Sequence, residues 1–317
     1  MKPILSFRPL VFILCTFLSL NGFAQQLQWA QYAGGINSDY IEEIAVDHHG
    51  NIIISGATNS KGIATNGAYQ SVKSLGNDFF ISKYRSNGTL VWCTYYGGND
   101  SDYPFTMTLD KDDNIYIGGE TKSTDVSSTN AYQTTIAGNF DALLVKFDSS
   151  GNRMWATYFG GDGKEQLLCC ATDDLGNIFI GGLTISSINI STPGSFQPIY
   201  GGGEGDAFLA KFNSAGAIQW ATYYGGTLDD RFHGMDIDDA GNVIVSGTTS
   251  SKNGISSPGA FQVNHGGAND AFLVKFANSG SRIWGTYYGK NGTERGRECC
   301  VDNSNTFTLQ GLLPAIL

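Results

Sequence analysis

Five carboxylates at a constant spacing are the side chains best placed to do chemistry in this chain. Asp39, Asp102, Glu165, Asp230 and Glu294 each stand ten residues after a tryptophan. If the tryptophans mark units repeated around an axis, rotation carries these acids into a ring on one face. Such a ring offers hard oxygen ligands of the kind Ca²⁺ takes. The same regularity fits a plainer role, an acid that caps the turn before a strand in every unit. Repetition favours the plainer role, because a residue repeated in every unit serves the unit, while a binding site uses what differs between units.

Other reactive groups are sparse. Asp110-Lys111-Asp112-Asp113-Asn114 has the look of a calcium-loop start, but Thr121 stands where the closing Glu belongs, so a hairpin turn is the better reading. Lys83, Lys146, Lys211 and Lys275 all lie nine residues before a tryptophan, inside apolar runs. A buried lysine needs a counterion, and one of the repeated Asp series is the expected partner. His48, His49, His233 and His265 show no metal-binding spacing, and no GxSxG elbow or Walker-type loop appears. Beyond the leader, Cys93, Cys169, Cys170, Cys299 and Cys300 form no CxxC pair. They read as small core residues, with a disulfide between repeats as the alternative in an oxidising compartment.

The elements that must position these groups follow from the tryptophans. Trp29, Trp92, Trp155, Trp220 and Trp284 are spaced by 63, 63, 65 and 64 residues. Each opens a segment such as WCTYYGG or WATYFGG, which reads as a strand ending in a turn. Eighteen residues on stands an Asp (Asp47, Asp110, Asp173, Asp238, Asp302), followed by a turn and a second β-rich run. Fourteen residues before each tryptophan after the first stands another (Asp78, Asp141, Asp206, Asp270), opening runs such as DAFLVKF that suit a strand covered on both faces. Between these hairpins lies a connection of about twenty residues carrying a GAYQ-like motif at 67–70, 130–133, 194–197 and 259–262. A loop that long implies packing of its own or function. Its recurring aromatic (Tyr69, Tyr132, Phe196, Phe261) points to a plug between adjacent sheets. The expected fold is all-β, a β-propeller of four-stranded antiparallel blades with about five repeats of about 64 residues, the last incomplete.

The ordered pattern DAFLVKF…WATYYGG…D…DxxGNxxxxGxT resembles the bacterial β-propeller repeat known as SBBP, over about residues 27–311. The resemblance implies a propeller of exported or cell-surface bacterial proteins, with no universal catalytic residue. The pattern breaks off after TFTLQG (306–311), before the long connection and third strand of the fifth repeat. Together with a lone Trp strand expected over 27–33, this suggests a fragment or a truncated or frameshifted form of a longer propeller.

Lys2 and Arg8 flank the start of an apolar run, Leu10–Leu20, and Gly22-Phe23-Ala24 offers a small-residue cleavage site. A signal peptide over 1–24 and a propeller domain over 25–317 are therefore expected, with a secreted or cell-surface location. No segment after the signal is an integral membrane span. The net charge of −10, carried by a chain only 15% charged, argues against nucleic acid as a partner. Two functions remain. One is a noncatalytic binding or structural scaffold for an extracellular protein or glycan. The other is a propeller enzyme acting on glycans or peptides through axial carboxylates, for which Asp229, His233 and Glu204 are the nearest candidates that differ between repeats.

Overall fold

In the computed structural model, residues 29–302, 304 and 306–312 are described. The expected signal segment 1–24 and Cys15 lie outside them. The first sheet holds β1 (Asp39–Val46), β2 (Ile52–Thr58), β3 (Asp78–Tyr84) and β4 (Leu90–Tyr96). The second holds β5 (Asp102–Leu109), β6 (Ile115–Thr121), β7 (Asp141–Phe147) and β8 (Arg153–Phe159). The third holds β9 (Glu165–Thr172), β10 (Ile178–Thr184), β11 (Asp206–Phe212) and β12 (Ile218–Tyr224). The fourth holds β13 (Asp230–Ile237), β14 (Val243–Thr249), β15 (Asp270–Phe276) and β16 (Arg282–Tyr288). A two-stranded sheet of β17 (Arg295–Val301) and β18 (Phe307–Leu312) follows. Within each sheet the strands pair antiparallel in chain order, and the described residues contain no helix. This is the propeller architecture, four blades and a partial one.

A blade begins at the acid and ends at the tryptophan strand. The first strands of successive blades, β1, β5, β9, β13 and β17, pack on one another and line the axis. The apolar core lies between adjacent sheets. Phe147, Leu143 and Tyr96 fill the first junction, Phe159, Phe208 and Phe212 the second, and Tyr224, Phe272 and Phe276 the third. Each fully buried aromatic contributes on the order of 2 kcal/mol. The long connections plug these junctions as expected: Tyr69 stands 6.2 Å from Phe147, Tyr132 5.7 Å from Phe212, and Phe196 5.7 Å from Phe276.

The tryptophan and the buried lysine join one blade to the next. The indole N–H of Trp155 donates to Ser214 O at 3.0 Å, in the β11–β12 turn of the following blade. Lys146 Nζ reaches the same carbonyl at 3.4 Å and pairs with Asp110 of its own blade at 3.3 Å. Trp92 with Lys83 on Ser149 O repeats the arrangement, and Trp220 on Asn278 O with Lys211 on the Asn278 side-chain Oδ1 varies it. The Asp eighteen residues after each of the first four tryptophans is thus the counterion, at 2.8 Å for Lys83–Asp47 and 2.6 Å for Lys275–Asp238. Trp155 also lies flat on the turn glycine. Gly216 has φ +82°, and a Cβ there would stand 2.9 Å from the indole, so the position excludes a side chain on two counts.

One local expectation is corrected. Residues 29–33 form no strand. A strand is held by pairing to a neighbour, whereas here the contact that fixes Trp29 is its indole N–H to Ser86 O at 2.9 Å, the same staple used by Trp92, Trp155 and Trp220.

Candidate functional site

The five repeated acids sit at or just before the start of the axis-lining strands, and each is engaged by its immediate surroundings. Glu165 accepts from Thr184 Oγ1 at 2.6 Å, from Ser186 Oγ and from the Gly161 N–H at 3.0 Å. Asp102 repeats this with Thr121, Ser123 and Gly98, and Asp39 with Thr58, Ser60 and Gly35. Asp230 accepts from Gly226 N–H and Ser251 Oγ, both at 2.7 Å, and Glu294 from Lys290 N–H at 3.1 Å. Four of the five are buried, Asp39 partly so. They cap the turn from one blade to the next. Among the described residues no three His, Cys, Asp or Glu side chains converge on a point that could hold a metal ion.

Each buried acid also faces the Asp that opens the third strand of the preceding blade. A Cβ at Gly97 would stand 2.6 Å from Cγ of Asp78 and 2.9 Å from Oδ2 of Asp102. At Gly225 it would stand 2.7 Å from an oxygen of Asp206 and from one of Asp230. The first glycine of each YGG segment is therefore required by a pair of carboxylates. The Gln of the GAYQ-like motif ties the corner together: Gln133 Nε2 donates to Asp141 at 2.6 Å while Gly160 N–H donates to its Oε1 at 3.0 Å. Desolvation, the largest cause, pushes Asp102, Glu165 and Asp206 up to about 7 and Asp78 and Asp230 to about 6. The facing carboxylate adds to the rise at Asp102, Glu165 and Asp206.

What differs between blades lies beside these caps. Every axis-lining strand carries a β-bulge, which turns an extra residue out of the ladder. The bulge residues are Glu42, Phe105, Leu168, His233 and Arg297, and the residues just after each acid are Tyr40, Tyr103, Gln166, Arg231 and Arg295. Both series vary from blade to blade. On β13 and β17 they are basic, and they enclose a cavity of about 230 Å³ together with Asp229, Thr248, Ser250 and Asn269.

Strand pairing explains how these residues meet. Arg231 is directly opposite Thr248 on β14. Ser250 follows β14 and Asn269 precedes β15, with Ser250 Oγ donating to Asn269 Oδ1. Asn269 in turn bridges to Thr293, just before β17. No hydrogen bond or ion pair among the described residues engages the guanidinium groups of Arg231, Arg295 or Arg297, whereas Arg153 and Arg282 are both bonded. Burial, and then the three guanidiniums, push His233 down to about 4, so its imidazole is neutral at ordinary pH. Asp229, expected as a candidate that differs between repeats, lines this cavity with His233, and its Oδ1 accepts from the Glu204 N–H at 2.7 Å. The Glu204 side chain is not part of the lining. The three arginines were not singled out from sequence. The signal that finds them is the register, eleven and thirteen residues after each tryptophan, where blades disagree.

The remaining candidates are structural in place. Asp110 accepts the backbone N–H groups of Asp112 and Asn114 at 3.0 and 2.9 Å, closing a hairpin turn like that at Asp47. Cys93, Cys169, Cys170 and Cys299 are buried free thiols, and Cys300 is an exposed one. His48 binds Asp113 of the next blade at 2.7 Å, on the surface.

With four-stranded antiparallel blades repeated about an axis, the molecule is a β-propeller protein. The model for the SBBP beta-propeller repeat matches residues 28–64 and 91–125. The chain is similar to an uncharacterized WD repeat-containing protein of Acanthamoeba polyphaga mimivirus, with 24% identity over 54% of this chain and 14% of the relative. It is similar also to the regulatory protein FlaEY of Caulobacter vibrioides, with 23% identity over 54% of this chain and 17% of the relative. The matched regions thus span less than a fifth of the length of either. Among solved structures, a protein of unknown function from Dyadobacter fermentans superposes with a TM-score of 0.50 at 8% identity, covering 88% of this chain and 76% of that one, a likeness of fold.

Proposed function

We propose that this protein is an exported propeller that binds an extracellular glycan or protein without turning it over. The observation that carries the reading is the cavity between β13 and β17, where positions that vary between repeats hold three arginines whose guanidiniums have no hydrogen-bond or ion-pair partner among the described residues. Unspent donors converging on a recess are what a binding site needs. The repeated acids, the carboxylates an axial enzyme would use, are committed to capping. The cavity has one carboxylate, Asp229, and glycoside cleavage by acid and base or nucleophile takes two.

The expected leader supports export, which N-terminal sequencing of the secreted protein tests; the mature chain should begin at or near Gln25. A glycan and peptide array run beside a panel of hydrolase substrates tests binding. The expected result is retention of a ligand with no turnover, lost in the double variant Arg231→Gln/Arg297→Gln. Turnover of any substrate, or binding undiminished in the double variant, overturns the reading.

A further inference from the structure

We propose that the cavity lined by Arg231, His233, Arg295 and Arg297 takes an acidic saccharide unit, with its carboxylate or sulfate held by the guanidiniums and its hydroxyls by the facing polar side chains. The proposal names the ligand class of the binding site inferred above and rests on that reading.

Charge is the first argument. The chain carries a net charge of −10, yet three arginines gather at one blade junction. Three guanidiniums share the lining with a single carboxylate, Asp229; the excess of like charge raises the energy of the site, and an oxyanion that accepts from two or more guanidiniums relieves it. Planar guanidinium forks match carboxylate and sulfate oxygens in pairs. The neighbouring imidazole, which burial and then the guanidiniums hold neutral, adds a donor without adding to the repulsion.

The opposite side of the cavity selects the rest of the ligand. Asp229, Thr248, Ser250 and Asn269 supply one carboxylate acceptor and three neutral groups that both donate and accept. Asp229 opposes a second anionic group and calls for donors from the ligand. A sugar ring with one acidic substituent and several hydroxyls meets both demands at once; a free inorganic anion offers no donor to Asp229, whose Oδ1 accepts only from the Glu204 N–H among the described residues. Size agrees. At about 230 Å³ the recess is below the roughly 300–1,000 Å³ of sites for drug-sized ligands, so it admits one ring rather than a folded segment.

Isothermal titration separates the outcomes. The probes are tri-galacturonate, its carboxyl-reduced neutral counterpart, a sulfated galactose trisaccharide and a glutamate-rich peptide. The acidic trisaccharides should bind about tenfold or more tightly than the neutral one. Arg297→Gln and Arg295→Gln, both exposed changes on β17, should each weaken that binding by about tenfold while leaving the melting temperature unchanged. Equal binding of acidic and neutral trisaccharides overturns the ligand class but leaves the binding function standing. Tighter binding of the peptide than of either acidic trisaccharide overturns the saccharide in favour of an acidic protein partner. An array on which no glycan or peptide is retained at all overturns the binding function itself.

Discussion

Removing Asp110 should damage the fold far more than removing Lys146, although the two form one ion pair. Both side chains are almost wholly buried, 3% and 4% exposed, and their nearest atoms are 3.3 Å apart. In Asp110→Ala the ammonium of Lys146 keeps only Ser214 O at 3.4 Å and the face of Tyr116 at 4.7 Å. Stranding one member of a buried pair costs about 3–5 kcal/mol. The same change releases the N–H groups of Asp112 and Asn114 and the Asn114 amide, which adds about 1 kcal/mol or more. In Lys146→Met the flexible side chain fills the space of the lysine stem. Asp110 keeps its three turn donors, so the loss should be about 1–3 kcal/mol. Urea unfolding followed by tryptophan fluorescence measures the difference, with Trp155 directly opposite Lys146 in the ladder. Asp110→Ala should lower the melting temperature by about 10–20 °C, taking about 2–4 °C per kcal/mol. A Lys146→Met variant as unstable as Asp110→Ala, at unchanged denaturant slope, would refute the account of the turn as the carboxylate's main support.

Gly216→Ala should cost about 2–4 kcal/mol, from the left-handed backbone and the collision with Trp155, and its tryptophan emission should shift red as the indole is displaced. Stability should fall as pH rises from about 4 to about 7. The acids raised to about 6 or 7 hold protons in the folded chain that the unfolded chain has released, so their contribution is complete below their unfolded values and lost through their folded ones. Asp206→Asn should flatten that slope in melting curves taken across the range. Asp47, held down to about 2 by Lys83 and the Asn51 donors after its own desolvation, works the other way, and its contribution disappears as pH falls below about 4 toward 2. Saturating Ca²⁺ should leave the melting temperature unchanged, because the repeated acids are bonded within separate corners; a rise of several degrees would show that they share an ion.

Periodicity is a local property, and so the blade was legible in the chain. The tryptophan spacing, the Asp at +18 and the apolar third strand each follow from what a single hairpin needs, and the strands stand where those signals put them. The lysine counterion and the aromatic plug were legible too, because a buried charge and a long loop each demand a partner. The pairing of Asp206 with Asp230 was not, since it joins the end of one blade to the start of the next across a glycine that looks like an ordinary turn residue. Nor was the meeting of Arg231 and His233 with Arg295 and Arg297. In the chain they lie more than sixty residues apart at positions the repeat leaves unspecified. Only the packing of β13 on β17, with a bulge in each, turns those side chains into one recess. The amino-acid sequence by itself determined the repeating unit, because each unit's hydrogen bonds and core contacts recur at one spacing. The tertiary structure decided which unrepeated residues face each other, because that depends on the rotation from blade to blade and on no interval along the chain.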